Sequence, residues 1–373
     1  MTDNGGMATV LLGGDVMLGR GVDQILPHPG DPALRERYVD DARTYVELAE
    51  RVHGAFDRPV DFRWLWGDLL PILAQVDPDV RLINLETAIT ADGAFEPAKG
   101  IHYRMNPDNL PVLTVIAPVV CALANNHILD FGIHGLADTL ESLDTAGIQR
   151  AGAGANLDNA RAPVLSELDD GRRVVIFSVA AGSSGVPEYW AAHHDRPGLW
   201  WVGNSPSVRA ADEVAAEVLA HKRDQDIAIV SVHWGPNWGY GVALSETQFA
   251  HRLIDAGVDL VHGHSAHHPR PIEIYRGKPI LYGCGDVIDD YEGIRGHERF
   301  RTDLRLMYLV SIDPGAVEVR MIPLQVRRMR LESAALSESR WLCETIEHIS
   351  RGFGTRVAAR SDDLPVVFKA AQR

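Results

Sequence analysis

Asp15, Glu86, Asn126, His233, His264 and His267 are residue types that hold divalent cations through oxygen or nitrogen, and each stands just beyond a short apolar run. The runs are 8–12 before Gly14-Asp15, 80–83 before Asn84-Leu85-Glu86, and 119–123 before Asn125-Asn126-His127. Two more are 227–232 before His233-Trp234-Gly235 and 258–261 before His262-Gly263-His264. In an open α/β sheet the carboxyl ends of the strands meet along one edge, where ligands bind, so donors remote in sequence converge there. Asp and Asn after a strand also make turns, and a lone strand-end His is often a structural group. An ordered set is harder to explain that way. The chemistry it suggests is a divalent-metal centre, with Mn, Zn, Ca, Mg and Fe all compatible with such donors and no organic cofactor expected.

The elements that must position these residues alternate as in a layered α/β fold. Helices are expected over 40–53, 66–75, 135–146, 207–222 and 245–256, with strands at 149–151 and 173–179. Beyond His267, segments 271–275, 278–282, 304–312 and 316–323 read as antiparallel strands joined by short turns such as Asp313-Pro314-Gly315, and a terminal helix is expected over 337–351. There is no internal repeat or linker. The chain therefore reads as a catalytic domain over 1–330 with a helical extension over 331–373 packed on it.

Composition narrows the class. With 46% apolar residues the chain can bury a large core, and a net charge of −15 argues against nucleic acid or an anionic membrane as partner. No apolar run approaches the ~20 residues of a membrane span, and the first seven residues lack a signal pattern, so a cytoplasmic location is expected. Cys121, Cys284 and Cys343 are too few and too scattered for a disulfide framework or a thiolate zinc site.

Taken in order, Gly14-Asp15-Val16-Met17-Leu18-Gly19-Arg20, Asn84-Leu85-Glu86, Ala124-Asn125-Asn126-His127 with Asp130-Phe131-Gly132, His233-Trp234-Gly235, Gly263-His264-Ser265-Ala266-His267 and Tyr282-Gly283-Cys284-Gly285-Asp286 resemble the CapA/PgsA-type proteins of the calcineurin-like metallophosphatase fold. The resemblance spans about residues 8–325. It implies a four-layer α/β/β/α sandwich with a metal centre at the strand ends. The six donors above would be its ligands, with His127 behind them as an acid or base. Two departures stand out: the usual Asp-x-His opening lacks its His, and Glu86 replaces a bridging Asp.

Within this group the chain is similar to the lasso-peptide epimerases of the MslH type, which implies inversion at the Cα of a precursor peptide's C-terminal tryptophan. Such a reaction needs neutralisation of charge developing on a carbonyl oxygen and two acid/base groups flanking the Cα. His127 is one candidate. His297, in the glycine-containing loop 291–299, is the other. Trp234 and Trp238 are expected to contact a bulky side chain, and Arg20 and Arg104 to grip a terminal carboxylate. The alternatives are a metal-dependent phosphoesterase or hydrolase of the CapA family and a non-catalytic assembly protein for poly-γ-glutamate export.

Overall fold

The computed structural model describes residues 7–313, 316–358 and 364–369, and the turn expected at Asp313-Pro314-Gly315 falls partly outside them. Thirteen strands matter here: β1 Ala8–Val16, β2 Val80–Leu85, β3 Val120–Ala122, β4 Gln149–Ala151, β5 Val164–Glu167, β6 Arg173–Ala180, β7 Ile227–His233, β8 Leu260–His264, β9 Ile272–Tyr275, β10 Lys278–Leu281, β11 Asp286–Ile288, β12 Leu304–Asp313 and β13 Ala316–Arg327. Two mixed sheets account for them. The first runs β13-β12-β1-β2-β3-β4, with β1 to β4 parallel and β11 also parallel to β1. The second runs β9-β10-β8-β7-β6-β5, with β10, β8, β7 and β6 parallel and antiparallel strands at both edges.

The central parallel strands β6 and β7 are largely apolar on both faces because both faces are covered. Between the sheets lies one cluster that includes Val10, Leu12, Leu82 and Tyr308 from the first and Ile176, Ile229, Leu260 and Leu281 from the second. On its other side the first sheet packs on helices α1 Arg43–His53, α2 Leu69–Val76 and α3 Gly132–Thr145 through Val46, Leu69 and Leu136. The second sheet packs likewise on α4 Val208–His221 and α5 Leu244–Asp255. Helix α4 shows why such segments are helical. Ser207 caps it by accepting the Ala210 N–H at 3.2 Å, and Ala210, Ala211, Val214, Ala215 and Val218 form its buried stripe.

Three expectations need correction. The helix expected from residue 40 starts at Arg43, because Asp41 Oδ1 accepts the Arg43 N–H at 2.9 Å and turns residues 40–42 instead. Strand β10 is not part of an antiparallel run alone: it pairs antiparallel with β9 and parallel with β8. The C-terminal part is more than helical, since α6 Leu336–Ser350 is followed by strands Thr355–Ala358 and Val366–Lys369 that join the first sheet beyond β13. Helix α6 places Leu342, Cys343 and Ile346 on the intersheet cluster. Among the described residues no helix is long and apolar enough to cross a membrane.

One short segment matters most for function. Between β10 in the second sheet and β11 in the first, residues 282–285 carry the chain across the sandwich. On the way Cys284 N–H donates to Gly263 O at 2.9 Å, and Asp15 N–H donates to Gly285 O at 3.0 Å. Gly285 has φ +77, and a Cβ on Gly14 would lie 1.8 Å from Gly285 O, so both positions require glycine.

Candidate metal centre

Register delivers the oxygen donors. Asp15 on β1 pairs with Asn84 on β2 on one side and with Asp286 on β11 on the other. Asn84 then holds two carboxylates at once, its Nδ2 donating to Asp15 Oδ1 and to Glu86 Oε2, each at 2.8 Å. The nitrogen donors come from the second sheet, where His233 on β7 is the register partner of His264 on β8. Their Nδ1 atoms are 2.9 Å apart. His264 Nδ1 lies 3.8 Å from Asp15 Oδ1, and His233 Nδ1 lies 4.0 Å from Glu86 Oε2.

Two ligand groups share Asp15. Asp15, His233 and His264 form one and Asp15, His267 and Asp286 the other, with donor atoms in each within 4.8 Å of one another and all residues buried. Asn126 sits beside the first group, Oδ1 against His233 Nε2 at 3.1 Å. Asp286 was visible in the sequence as part of a motif but was not among the expected ligands. Its Oδ1 is 3.0 Å from His267 Nδ1, and its buried Oδ2 has no standing donor, the carboxylate's remaining side-chain hydrogen bond being with the carboxyl of Asp289, itself raised to about 8 by burial. A free carboxylate oxygen buried among other carboxylates is costly without a cation. The residues present therefore fit a divalent ion.

Electrostatics point the same way. Burial pushes Asp15 up to about 7, helped by the charge of Asp286, and burial together with Asp15 raises Glu86 well above the usual carboxylate range. Burial also holds His233 and His264 well below the ordinary histidine value, which leaves them neutral as metal ligands must be. His267 goes the other way: burial lowers it, but the charges of Asp286, Asp15 and Asp289 and its hydrogen bond with Asp286 together outweigh that and raise it.

His127 lies against this cluster, with Nε2 3.7 Å from Glu86 Oε1. Its Nδ1 is 2.6 Å from Asp130 Oδ2 and 3.2 Å from Lys99 Nζ, and a ring nitrogen cannot donate to one and accept from the other. The shorter contact decides: Nδ1 carries the proton and gives it to Asp130, so Nε2 keeps a lone pair on the cluster side. Burial pulls the ring down to about 4, whereas Asp130, despite its own burial, is held below its ordinary value by His127 and Lys99. Asp130 and Lys99 were missed as functional residues. The three-residue step from His127 to Asp130 was the available signal.

The substrate side departs further from expectation. Trp238 lines a cleft of about 220 Å³ with His267, Tyr291, Tyr45 and Ile101. The His297 ring stacks flat on Trp238 with centroids 3.7 Å apart, which places it at this cleft and on the loop. Trp234 is not there. It is fully buried in the cluster between the second sheet and its helices, donating its Nε1–H to Tyr282 O at 2.9 Å. Arg20 touches the cleft, but its guanidinium is committed to Asp290, to Glu36 at 2.9 Å and to the Tyr45 hydroxyl, leaving no free fork for a carboxylate. Arg104 faces Asp31 and lies over the Phe131 ring at 4.7 Å, away from the cleft lining. All three cysteines are buried, and burial raises the Cys284 thiol well above its usual value, which leaves it inert as a nucleophile.

The chain belongs to the bacterial capsule synthesis protein family PGA_cap, whose profile matches residues 9–291. A "probable polyglutamine synthesis accessory protein" of Mycobacterium tuberculosis is 62% identical over 374 residues, covering 100% of this chain and 98% of the relative. The PGA biosynthesis protein CapA of Bacillus subtilis is 26% identical, over 83% of this chain and 70% of its own. The capsule biosynthesis protein CapA of Bacillus anthracis is 23% identical, over 92% and 74% respectively. These relatives correct the functional expectation. They are named for polyglutamine synthesis and capsule biosynthesis, so the lasso-peptide epimerase, with its isomerase chemistry and D-residue product, does not stand.

Proposed function

We propose that this capsule-family protein is a metal-dependent hydrolase, cleaving a phosphoester or an amide, that serves the synthesis of a glutamyl polymer. One observation carries the proposal: two buried ligand groups share Asp15, and the His127–Asp130 pair stands against them. The two facing sheets with helices on their outer sides are read as the four-layer sandwich of the metallophosphatase type, supported by the three separate hydrophobic clusters. The names of the relatives supply the biological setting.

Asp15, His233 and His264 would hold one divalent ion and Asp15, His267 and Asp286 a second, with Glu86 and Asn126 at hand. Such ions polarise a phosphoryl or carbonyl oxygen and make a bound water acidic. His127 is oriented through Nδ1 by Asp130, so its Nε2 can take a proton from an attacking water or return one to a leaving group. Lys99, 2.5 Å from Asp130, keeps that carboxylate ionised and the imidazole fixed. Trp238 and Tyr291 wall the adjoining cleft.

The test is to strip the protein with a chelator, reload it with Mn2+, Zn2+ or Mg2+ in turn, and offer aryl phosphodiesters and γ-glutamyl oligomers. The expected result is metal-dependent cleavage of one class, lowered ~10²–10⁴-fold in His127→Asn with metal content unchanged. A fully loaded protein that cleaves neither would defeat the hydrolase and favour an assembly role.

A further inference from the structure

The ligand face of the second sheet continues behind the ligands. Ser231 and His233 are two residues apart on β7, and His262 and His264 are two apart on β8, so all four share one face and Ser231 is the register partner of His262. These side chains form a chain of contacts. His264 Nε2 is 2.8 Å from Ser231 Oγ, Ser231 Oγ is 3.0 Å from His262 Nδ1, and His262 Nε2 is 2.9 Å from the carbonyl oxygen of Gly13 in the first sheet. All three residues are buried.

A backbone carbonyl only accepts, and that fixes every proton in the chain. His262 must donate from Nε2, so in its neutral form Nδ1 is an acceptor. Ser231 must then donate to His262 Nδ1, and its oxygen is left to accept the Nε2–H of His264. His264 Nδ1 consequently carries a lone pair, and it points at Asp15 and His233. The opposite direction requires a cationic His262, fully buried with no carboxylate in contact, which desolvation opposes.

We propose that Ser231 and His262 are positioning residues that lock His264 in the tautomer with a bare Nδ1, using the Gly13 carbonyl as the fixed end of the relay. The proposal rests on His264 being a metal ligand, as read above, but concerns its protonation pattern and not the reaction. Partners behind a metal-bound histidine of this kind fix ring orientation and raise ligand basicity.

The direct test needs no substrate. Protein labelled with 15N-histidine and stripped of metal is expected to show both His262 and His264 protonated at Nε2 and bare at Nδ1 in long-range 15N–1H spectra. A His264 protonated at Nδ1 would overturn the relay even if the protein proved to be a hydrolase. Conversely, the expected tautomers in a protein without hydrolytic activity would uphold it. In a second measurement, Ser231→Ala is expected to weaken Co2+ binding, read from the visible d–d bands, by ~10–100-fold. Ser231→Thr, which keeps the hydroxyl, is expected to restore it to within about threefold. Equal Co2+ affinity in Ser231→Ala and wild type would also overturn the proposal.

Discussion

The two sheets make unlike contributions to the same site. The first delivers oxygen: Asp15 from β1, Asn84 and Glu86 at the end of β2, and Asp286 from β11. The second delivers nitrogen: His233 and His264 from β7 and β8, and His267 just beyond. Neither sheet holds a complete set. The acidic half is electrostatically frustrated on its own, since three buried carboxylates crowd one another, whereas His233 and His264 are held neutral and His264 is arranged by its own hydrogen bond. A cation would resolve the first half and use the readiness of the second.

The sharpest way to break this division is at the residue that both ligand groups need. Asp15→Ala is expected to abolish binding at both, lowering divalent-ion affinity in calorimetry by more than the ~10–100-fold that a residue behind a ligand costs. Next, Asp286→Ala and His264→Ala should each halve the ions bound per chain by elemental analysis. Release of all metal by either one would show that the groups are not separable.

A smaller effect separates the halves by pH. Asp15 moves from 3.8 to about 7 on burial, so between those values the native state holds a proton that the unfolded chain has lost. Its contribution to stability is therefore present at low pH and declines as pH rises through about 7. The melting-temperature difference between chelated wild type and Asp15→Asn is expected to shift against the wild type on going from about pH 5 to 7, a comparison that cancels the opposite contribution of the histidines held neutral. Saturating Mn2+ is expected to stabilise the wild type more at the higher pH, because ion binding displaces that proton. A gain from Mn2+ that shrinks as pH rises would contradict this. Least is expected from the loop that belongs to neither sheet. His297→Asn should raise KM about twofold to tenfold through the lost stack on Trp238, an aromatic contact worth ~0.5–1.5 kcal/mol, with kcat nearly unchanged. A kcat loss above roughly a hundredfold would instead make His297 an acid or base.

Strand-end donors were legible in the sequence because each follows an apolar run and strand ends share an edge. What a single-edge rule cannot show is a chain that changes sheets. Asp286 escaped for that reason: residues 282–286 were legible only as one motif of the resemblance, whereas residues 282–285 cross to β1 and put Asp286 beside Asp15. Trp234 went astray for a simpler reason. Successive strand residues face opposite ways, so a residue next to inward-facing His233 should point at the outer helices, as it does. Arg20 was beyond reach, since its partner Asp290 lies 270 residues away and nothing local shows that its charge is already matched. Similarly, the pairing of the two sheets, which joins His262 to Gly13 across 249 residues, leaves no mark on either segment alone.

The crossing at residues 282–285 has a consequence for which positions can drift over evolutionary time. Cys284 hydrogen-bonds backward to Gly263 and Gly285 forward to Asp15, so the gap between oxygen and nitrogen donors is gauged by main chain against main chain. Apolar residues elsewhere between the sheets can exchange for others of similar volume without resetting that gap. Gly14 and Gly285 cannot, because the gauge closes to backbone contact exactly where a methyl group would have to fit.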